Sequence, residues 1–271
     1  MRFDSNRAWK EATAAVKANR EVLLALAGVF FMLPSLLVAI VHPQPTPPAG
    51  LEGEATMNFL SQYYAEAAPL LFVMAVIQAV GTLALLTLFT DRTRPTVGEA
   101  IREGAVALLF YLAAQILLGF GFALAAGLLI GVLALTGVPA LVAVGVILML
   151  VALVYVMVKT SLTAPVVAVD KVRNPIQAIR RSWVLTKGNS VRLALFYLLL
   201  FVAFVIVLAV VMGLVGVLLA VVLGGEGARI GAAVISSAIG AVGALYFVAI
   251  LAAVHRQLAG PSPEAVSETF S

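Results

Sequence analysis

Residues 193–223 read LALFYLLLFVAFVIVLAVVMGLVGVLLAVVL, a stretch of 31 residues without a charged side chain. An α-helix of this length is about 46 Å long at 1.5 Å per residue. The hydrocarbon core of a bilayer is about 30 Å thick and needs roughly 20 apolar residues to cross it. The stretch therefore predicts a transmembrane helix, long enough that it must tilt, kink or project beyond the membrane.

Five further stretches of the chain have the same character. The six predicted spans are residues 22–41, 69–89, 105–135, 139–158, 193–223 and 230–254. Of the 271 residues, 63% are hydrophobic and 11% charged, whereas a soluble domain has about 25% charged residues. We therefore expect an all-α, polytopic transmembrane helical bundle. It divides into an amphipathic cytoplasmic arm (1–21), a six-helix transmembrane domain (22–254) and a cytoplasmic tail (255–271).

The distribution of the 17 basic residues predicts the orientation of the chain. With six spans, sixteen of them fall on one side, in the N-terminal arm, the second and fourth loops with their flanks, and the tail. Only Arg229 falls on the other side. The positive-inside rule then places both termini in the cytoplasm. No A-x-A cleavage site follows the first span, so we expect a retained signal-anchor in a bacterial inner membrane.

The residue types available exclude most catalytic chemistry. There is no cysteine, and His42 and His255 lie at opposite ends of the chain. Ion-coupled transporters normally carry ionisable residues inside the membrane, and the predicted spans have none in their middles. We therefore expect no enzyme activity, no metal and no other cofactor. Nucleic acid is not an expected partner, because membrane topology explains the basic charge.

A short amphipathic helix is predicted after the fourth span. Asn174 is a good N-cap and Pro175 suits the first helical position. Ile176, Ile179 and Trp183 recur at helical spacing and predict one apolar face. Such a helix is expected to lie flat on the inner leaflet, ending where Gly188 adopts the left-handed conformation.

Two other cytoplasmic segments predict similar helices. Thr96 and Glu99 form a capping-box pattern before the third span. The N-terminal arm has Trp9, Ala12 and Val16 as its apolar stripe. On the outer side, residues 56–66 are a candidate interfacial helix within the long loop 42–68, which is either a spacer or a site for a ligand or partner.

Short sequences that recur predict an internal repeat. Residues 99–102 (EAIR) resemble residues 177–180 (QAIR), and LFYL occurs at both 109–112 and 195–198. The predicted module is an interfacial helix, a long span, a short outer turn and a returning span, in parallel copies. Chance recurrence in a Leu- and Ala-rich chain is the alternative. Gly127 and Gly131 form a GxxxG match, which is either a close helix contact or another chance match.

The region 155–192 resembles a known family. The resembling features are a basic residue at the end of the fourth span, an apolar Ala-Pro-Val-Val sequence, an Ala-x-x-Arg-Ser-Trp sequence and Leu-Thr-Lys-Gly. They are similar to the membrane domain found beside some bacterial glycerophosphodiester phosphodiesterases, and to related six-span inner-membrane proteins. The family-like residues are Pro165, Ala178, Ser182, Trp183 and Gly188. The resemblance implies a polytopic membrane module. Catalysis in that family belongs to a separate soluble barrel, which we do not expect in about fifteen residues after the last span.

The basic residues of the cytoplasmic side suggest contacts with lipid. The candidate headgroup contacts are Arg92, Arg94, Lys159, Arg180, Arg181 and Lys187. Each basic residue near an anionic leaflet contributes about 1 kcal/mol. The alternative is topology alone, with Lys159 reaching the surface as a snorkelling side chain.

Two classes of function fit these features. We expect a non-enzymatic protein that binds or organises anionic phospholipids of the inner leaflet, or scaffolds a lipid-metabolism partner. The alternative is a transporter, flippase-like or channel-like protein for a lipidic or apolar solute without ion coupling. In that case the glycines of the third and fifth spans would flank a groove.

Overall fold

The computed structural model describes residues 2–43, 45, 48, 50, 52–90 and 95–260. Nearly all of these residues are helical. The helices are α1 (Ser5–Ala18), α2 (Arg20–Ala27), α3 (Leu33–Val41), α4 (Glu54–Thr90), α5 (Val97–Ala134), α6 (Pro139–Thr160), α7 (Thr163–Ala168), α8 (Pro175–Leu185), α9 (Ser190–Val222) and α10 (Gly225–Ala259).

Six helical stretches are long and apolar enough to cross a membrane. They are Arg20–Val41, Glu54–Thr90, Val97–Ala134, Pro139–Ala168, Ser190–Val222 and Gly225–Ala259. Each of them overlaps one predicted span almost completely. The all-α transmembrane class and the six predicted spans are therefore confirmed, whereas the internal repeat stays a prediction.

Two predicted interfacial segments are continuous with the spans that follow them. Helix α4 begins at Glu54 and runs through Pro69, so residues 56–66 are not a separate helix. Thr96 and Glu99 do form the capping box: the Glu99 carboxylate accepts the Thr96 N–H at 2.8 Å. That box starts the 38-residue helix α5 itself. No residue between the cap and the span breaks the helix, so the backbone hydrogen bonds continue without interruption.

A π-helical turn interrupts the first span. Residues Gly28–Met32 form this turn between α2 and α3, and the Leu33 N–H donates to the carbonyl of Gly28, five residues earlier. Pro34 follows directly. Proline has no N–H and crowds the preceding turn of an α-helix, and a wider π turn is one way to relieve that crowding.

The core of the bundle lies around the C-terminal half of α10. Residues 248–255 of this helix are all buried, because α1, α2, α4, α7 and α9 pack around it. The arm helix α1 contacts α10 through Ala8, Ala12 and Val16. Trp9, the remaining residue of the predicted stripe, is 45% exposed and stacks on Tyr246 of α10 at 6.2 Å between centroids.

The C-terminal halves of α5 and α9 contain no buried residue. None of the residues in the most hydrophobic window of either helix is buried, as expected where apolar side chains face lipid. A methyl group at Gly127 or Gly131 would meet no atom within 4 Å. Within the described residues of one chain, the GxxxG match is therefore not a close helix contact.

Candidate functional site

The helix of the fourth span is interrupted near its C-terminal end, and a serine of α8 bonds to both sides of the break. Helix α6 ends at Thr160, and α7 begins at Thr163. The Ser182 hydroxyl donates to the Lys159 carbonyl at 2.8 Å and accepts the Leu162 N–H at 3.1 Å. Ser182 is fully buried. It therefore satisfies two backbone groups that the break between the helices leaves without helical partners.

Other residues of the family-like set also lie in the segments around this break between α6 and α7. Pro165 lies in α7, whose six residues are all buried. Ala178 is completely buried and lets α8 approach the bundle closely. Gly188 has a φ of +80°, which confirms the predicted left-handed end of the segment. The following Asn189 is buried, and its side-chain oxygen accepts the Phe3 N–H at 2.9 Å.

Helix α8 begins as predicted but turns its small and polar side inward. Asn174 caps it by accepting the Gln177 N–H at 3.0 Å. Ala178 and Ser182 are buried, whereas Ile176 is 67% exposed and Trp183 38% exposed. Ile176 therefore points away from the protein, whereas the partly exposed ring of Trp183 packs on Tyr155 of α6. Close packing and hydrogen bonding favour small and polar residues between helices in a membrane protein.

The four candidate headgroup residues that the structure describes do not form a single cluster. Arg92 and Arg94 lie outside the described residues. Arg180 is exposed, and Arg181 pairs with the carboxylate of Asp170. Lys187 is exposed and lies close enough to Lys159 for the two positive charges to interact. Of the set, the structure therefore brings together Lys159 and Lys187.

Lys159 lies beside two aromatic rings. The residue is 4% exposed, so its stem is covered by neighbouring side chains. Its Nζ lies 5.7 Å from the Tyr155 ring centroid and 5.5 Å from that of Trp183. The two rings meet edge to face, with centroids 5.7 Å apart. Both distances are within the range of cation–π attraction.

Among the described residues, no acidic side chain pairs with the Lys159 ammonium. Within the described part of the chain, no carboxylate oxygen lies within 4 Å of the Lys159 ammonium. Buried charges in proteins are normally paired, because an unpaired charge loses its hydration. The positive charge of Lys187 adds to the local imbalance. Lys159 and Lys187 therefore form a locally positive site.

An apolar groove leads to the same lysine. It has a volume of about 430 Å³ and lies between α6 and α9. Its lining residues are Leu150, Val151, Val154, Tyr155, Val158, Ser190, Val191 and Ala194. Tyr155 contributes to both the groove and the aromatic pair. The Ser190 hydroxyl donates to the Thr186 carbonyl at 3.0 Å, so it already has a partner of its own.

Asp170, Arg181 and His255 form a second charged cluster, which the sequence analysis did not predict. The Asp170 carboxylate accepts hydrogen bonds from Arg181 of α8 and from His255 of α10, the latter at 3.2 Å. Burial acts to raise the pKa of Asp170, but the hydrogen bonds and charges of His255 and Arg181 outweigh it and hold that pKa below its ordinary value. The sequence does contain one signal for this cluster, because Asp170 is the sole acidic residue between Glu103 and Glu226.

The segment between α7 and α8 is also fastened to α5. Arg173 pairs with Glu103 at 3.6 Å, and its guanidinium lies 5.6 Å from the Phe110 ring centroid. It also donates to the Val167 carbonyl at 3.1 Å. Together with Asp170, these contacts fix the position from which α8 presents Trp183 to Lys159.

Searches of protein-family models, of curated proteins and of solved structures found no match to this chain. The resemblance to the phosphodiesterase-associated membrane domain therefore rests on the sequence features between residues 155 and 192. Function has to be argued from the chemistry of the site.

Proposed function

We propose that this protein is a non-enzymatic integral membrane protein that binds an anionic phospholipid of the inner leaflet through Lys159. The observation that carries this proposal is Lys159, a residue only 4% exposed whose ammonium has no carboxylate within 4 Å among the described residues. A phosphodiester would supply the missing negative charge. Lys159 stands at the cytoplasmic end of the fourth span under the proposed orientation, which is the level of the lipid headgroups.

The neighbours of Lys159 suit a phosphate group. Lysine binds phosphate as a point charge with three donors. The indole N–H of Trp183 and the hydroxyl of Tyr155 are donors typical of the interface between hydrocarbon and headgroups. Lys187 adds a second positive charge at the exposed side. This combination supports a preference for anionic over zwitterionic lipids.

Native mass spectrometry of protein released from its own membrane would test the proposal. We expect wild-type protein to retain anionic phospholipid well above its share of the membrane. Lys159→Met should lower that enrichment about fivefold or more, since a lost contact of about 1 kcal/mol corresponds to that factor.

Lys17→Met is the matched control, because it removes an exposed charge from α1 on the same side of the protein. Its lipid content should equal that of wild-type protein. Lipids present only in bulk proportions, or equal enrichment in wild-type and Lys159→Met protein, would overturn the proposal.

A further inference from the structure

The groove between α6 and α9 and the Lys159 site form one continuous surface. Tyr155 lines the groove, and the centroid of its ring is 5.7 Å from the Lys159 ammonium. Val158, the residue before Lys159, lines the groove as well. On α6 the lining extends back to Leu150, which is about 12 Å along the helix axis at 1.5 Å per residue. The groove therefore runs from the cation into the membrane-spanning part of α6.

The groove offers almost nothing to a polar ligand. Six of its eight lining side chains are aliphatic, and the Ser190 hydroxyl is already bonded to the Thr186 carbonyl. A free phosphate or a soluble phosphate ester would contact Lys159 and leave the apolar length of the groove to water. Water needs polar partners in such a space. A hydrocarbon chain gains free energy from the same apolar surface.

The volume of the groove is also large enough to hold part of a ligand. At about 430 Å³ the groove lies within the range of small-molecule sites, roughly 300–1,000 Å³. Its walls come from two spans, so it is accessible from the lipid side. A phospholipid with its phosphate at Lys159 would direct its glycerol-linked chains toward the bilayer centre, which is the direction that the groove takes.

We propose that the groove between α6 and α9 holds one acyl chain of the lipid whose phosphate binds Lys159. The ligand class is thus a membrane-resident, long-chain anionic phospholipid, as opposed to a free phosphate compound. This inference rests on the proposed function and adds the acyl chain to it. Binding should accordingly depend on chain length as well as on headgroup charge.

A single-tryptophan protein provides the reporter for the test. Trp9 and Trp183 are the two tryptophans of the chain, so Trp9→Phe leaves Trp183 beside Lys159. The full-length protein in mild detergent is titrated with phosphatidylglycerol of long and of six-carbon acyl chains, with long-chain phosphatidylcholine, and with glycerol phosphate. Trp183 emission reports binding of each probe.

Two variants fill the groove from opposite walls. Ala194→Phe acts from α9 and Val151→Phe from α6. Ala209→Phe places the same side chain on an exposed face of α9 that does not line the groove. We expect both groove variants to weaken the binding of long-chain phosphatidylglycerol about tenfold, which is the effect of losing roughly two buried methylene groups. Ala209→Phe should leave the affinity unchanged.

The outcomes separate the two proposals. If the groove variants bind long-chain lipid like wild-type protein while Lys159→Met loses the preference for anionic lipid, the acyl-chain inference fails and the proposed function stands. Glycerol phosphate or six-carbon lipid binding as tightly as long-chain lipid would also overturn the inference and indicate a free-anion site. Equal affinity for phosphatidylglycerol and phosphatidylcholine in wild-type protein would overturn both.

Discussion

The imidazole of His255 lies 3.2 Å from the carboxylate of Asp170, although the two residues are 85 positions apart in the chain. His255 comes from the last turns of α10, where it is 3% exposed. Asp170 lies between α7 and α8 and also binds Arg181. One carboxylate therefore ties the helix that carries Trp183 to the central helix of the bundle.

Removing this carboxylate should destabilise the protein in a pH-dependent way. Asp170→Asn is expected to lower the free energy of unfolding by about 1–3 kcal/mol at neutral pH, since it leaves buried donors poorly paired. The folded-state pKa of Asp170 lies below its ordinary value. The stabilisation is therefore complete above the unfolded value, about 3.9, and disappears as the pH falls through the lower folded value.

Thermal unfolding in detergent at pH 7 and at pH 3 would measure this difference. The deficit of Asp170→Asn relative to wild-type protein should be smaller at pH 3. Glu226→Gln is the control, because Glu226 is 78% exposed in its pair with Arg229 and exposed pairs contribute little. A deficit that stays the same at both pH values would show that the Asp170 charge does not stabilise the fold.

Two glycines distinguish a packed helix surface from one that faces lipid. A methyl group at Gly81 of α4 would overlap the side chain of Phe30 in the π turn, whereas at Gly127 of α5 it would meet nothing within 4 Å. Gly81→Ala should therefore lower stability by about 1–3 kcal/mol through overpacking. Gly127→Ala should be neutral or raise stability by up to about 1 kcal/mol, because alanine favours the helix.

The apparent melting temperatures of the two variants in the same detergent provide the comparison. A loss of stability in Gly127→Ala equal to that in Gly81→Ala would contradict this assignment. It would mean that the Gly127 surface of α5 packs against another helix, as in an assembly of two copies.

The absence of cysteine from the chain allows a direct test of orientation. Lys10→Cys and Thr136→Cys each place one thiol at an exposed position, the first on α1 and the second between α5 and α6. The charge distribution predicts that α1 is cytoplasmic. In spheroplasts, a membrane-impermeant maleimide should therefore label Thr136→Cys directly. It should label Lys10→Cys only after the membrane has been permeabilised. The reverse pattern would place the termini on the outside.

Local signals in the sequence predicted where helices begin and end. The Thr96 capping box, the Asn174 cap and the positive φ at Gly188 all occur where the residue types indicated. These features depend on neighbouring residues alone, so they are readable without a fold. The predicted separation of Thr96–Glu99 from the third span was wrong, because a cap starts a helix without setting its length.

The inward face of α8 could not be read in the same way. Sequence periodicity placed Ile176 and Trp183 on one face, yet both are more exposed than the small residues Ala178 and Ser182 on the inward side. In a soluble protein the apolar face is the buried one. Lipid is as apolar as a protein core, so inside a membrane the same pattern does not distinguish the two sides.

The sequence by itself determined the number of spans and the ends of most helices, because both follow from the thickness of the hydrocarbon and from local backbone capping. It also determined the charge asymmetry that predicts the orientation. Tertiary structure decided that Lys159 is buried against Trp183 and that Asp170 meets His255. These contacts join residues 24 and 85 positions apart, and they depend on which small side chains let the helices approach one another.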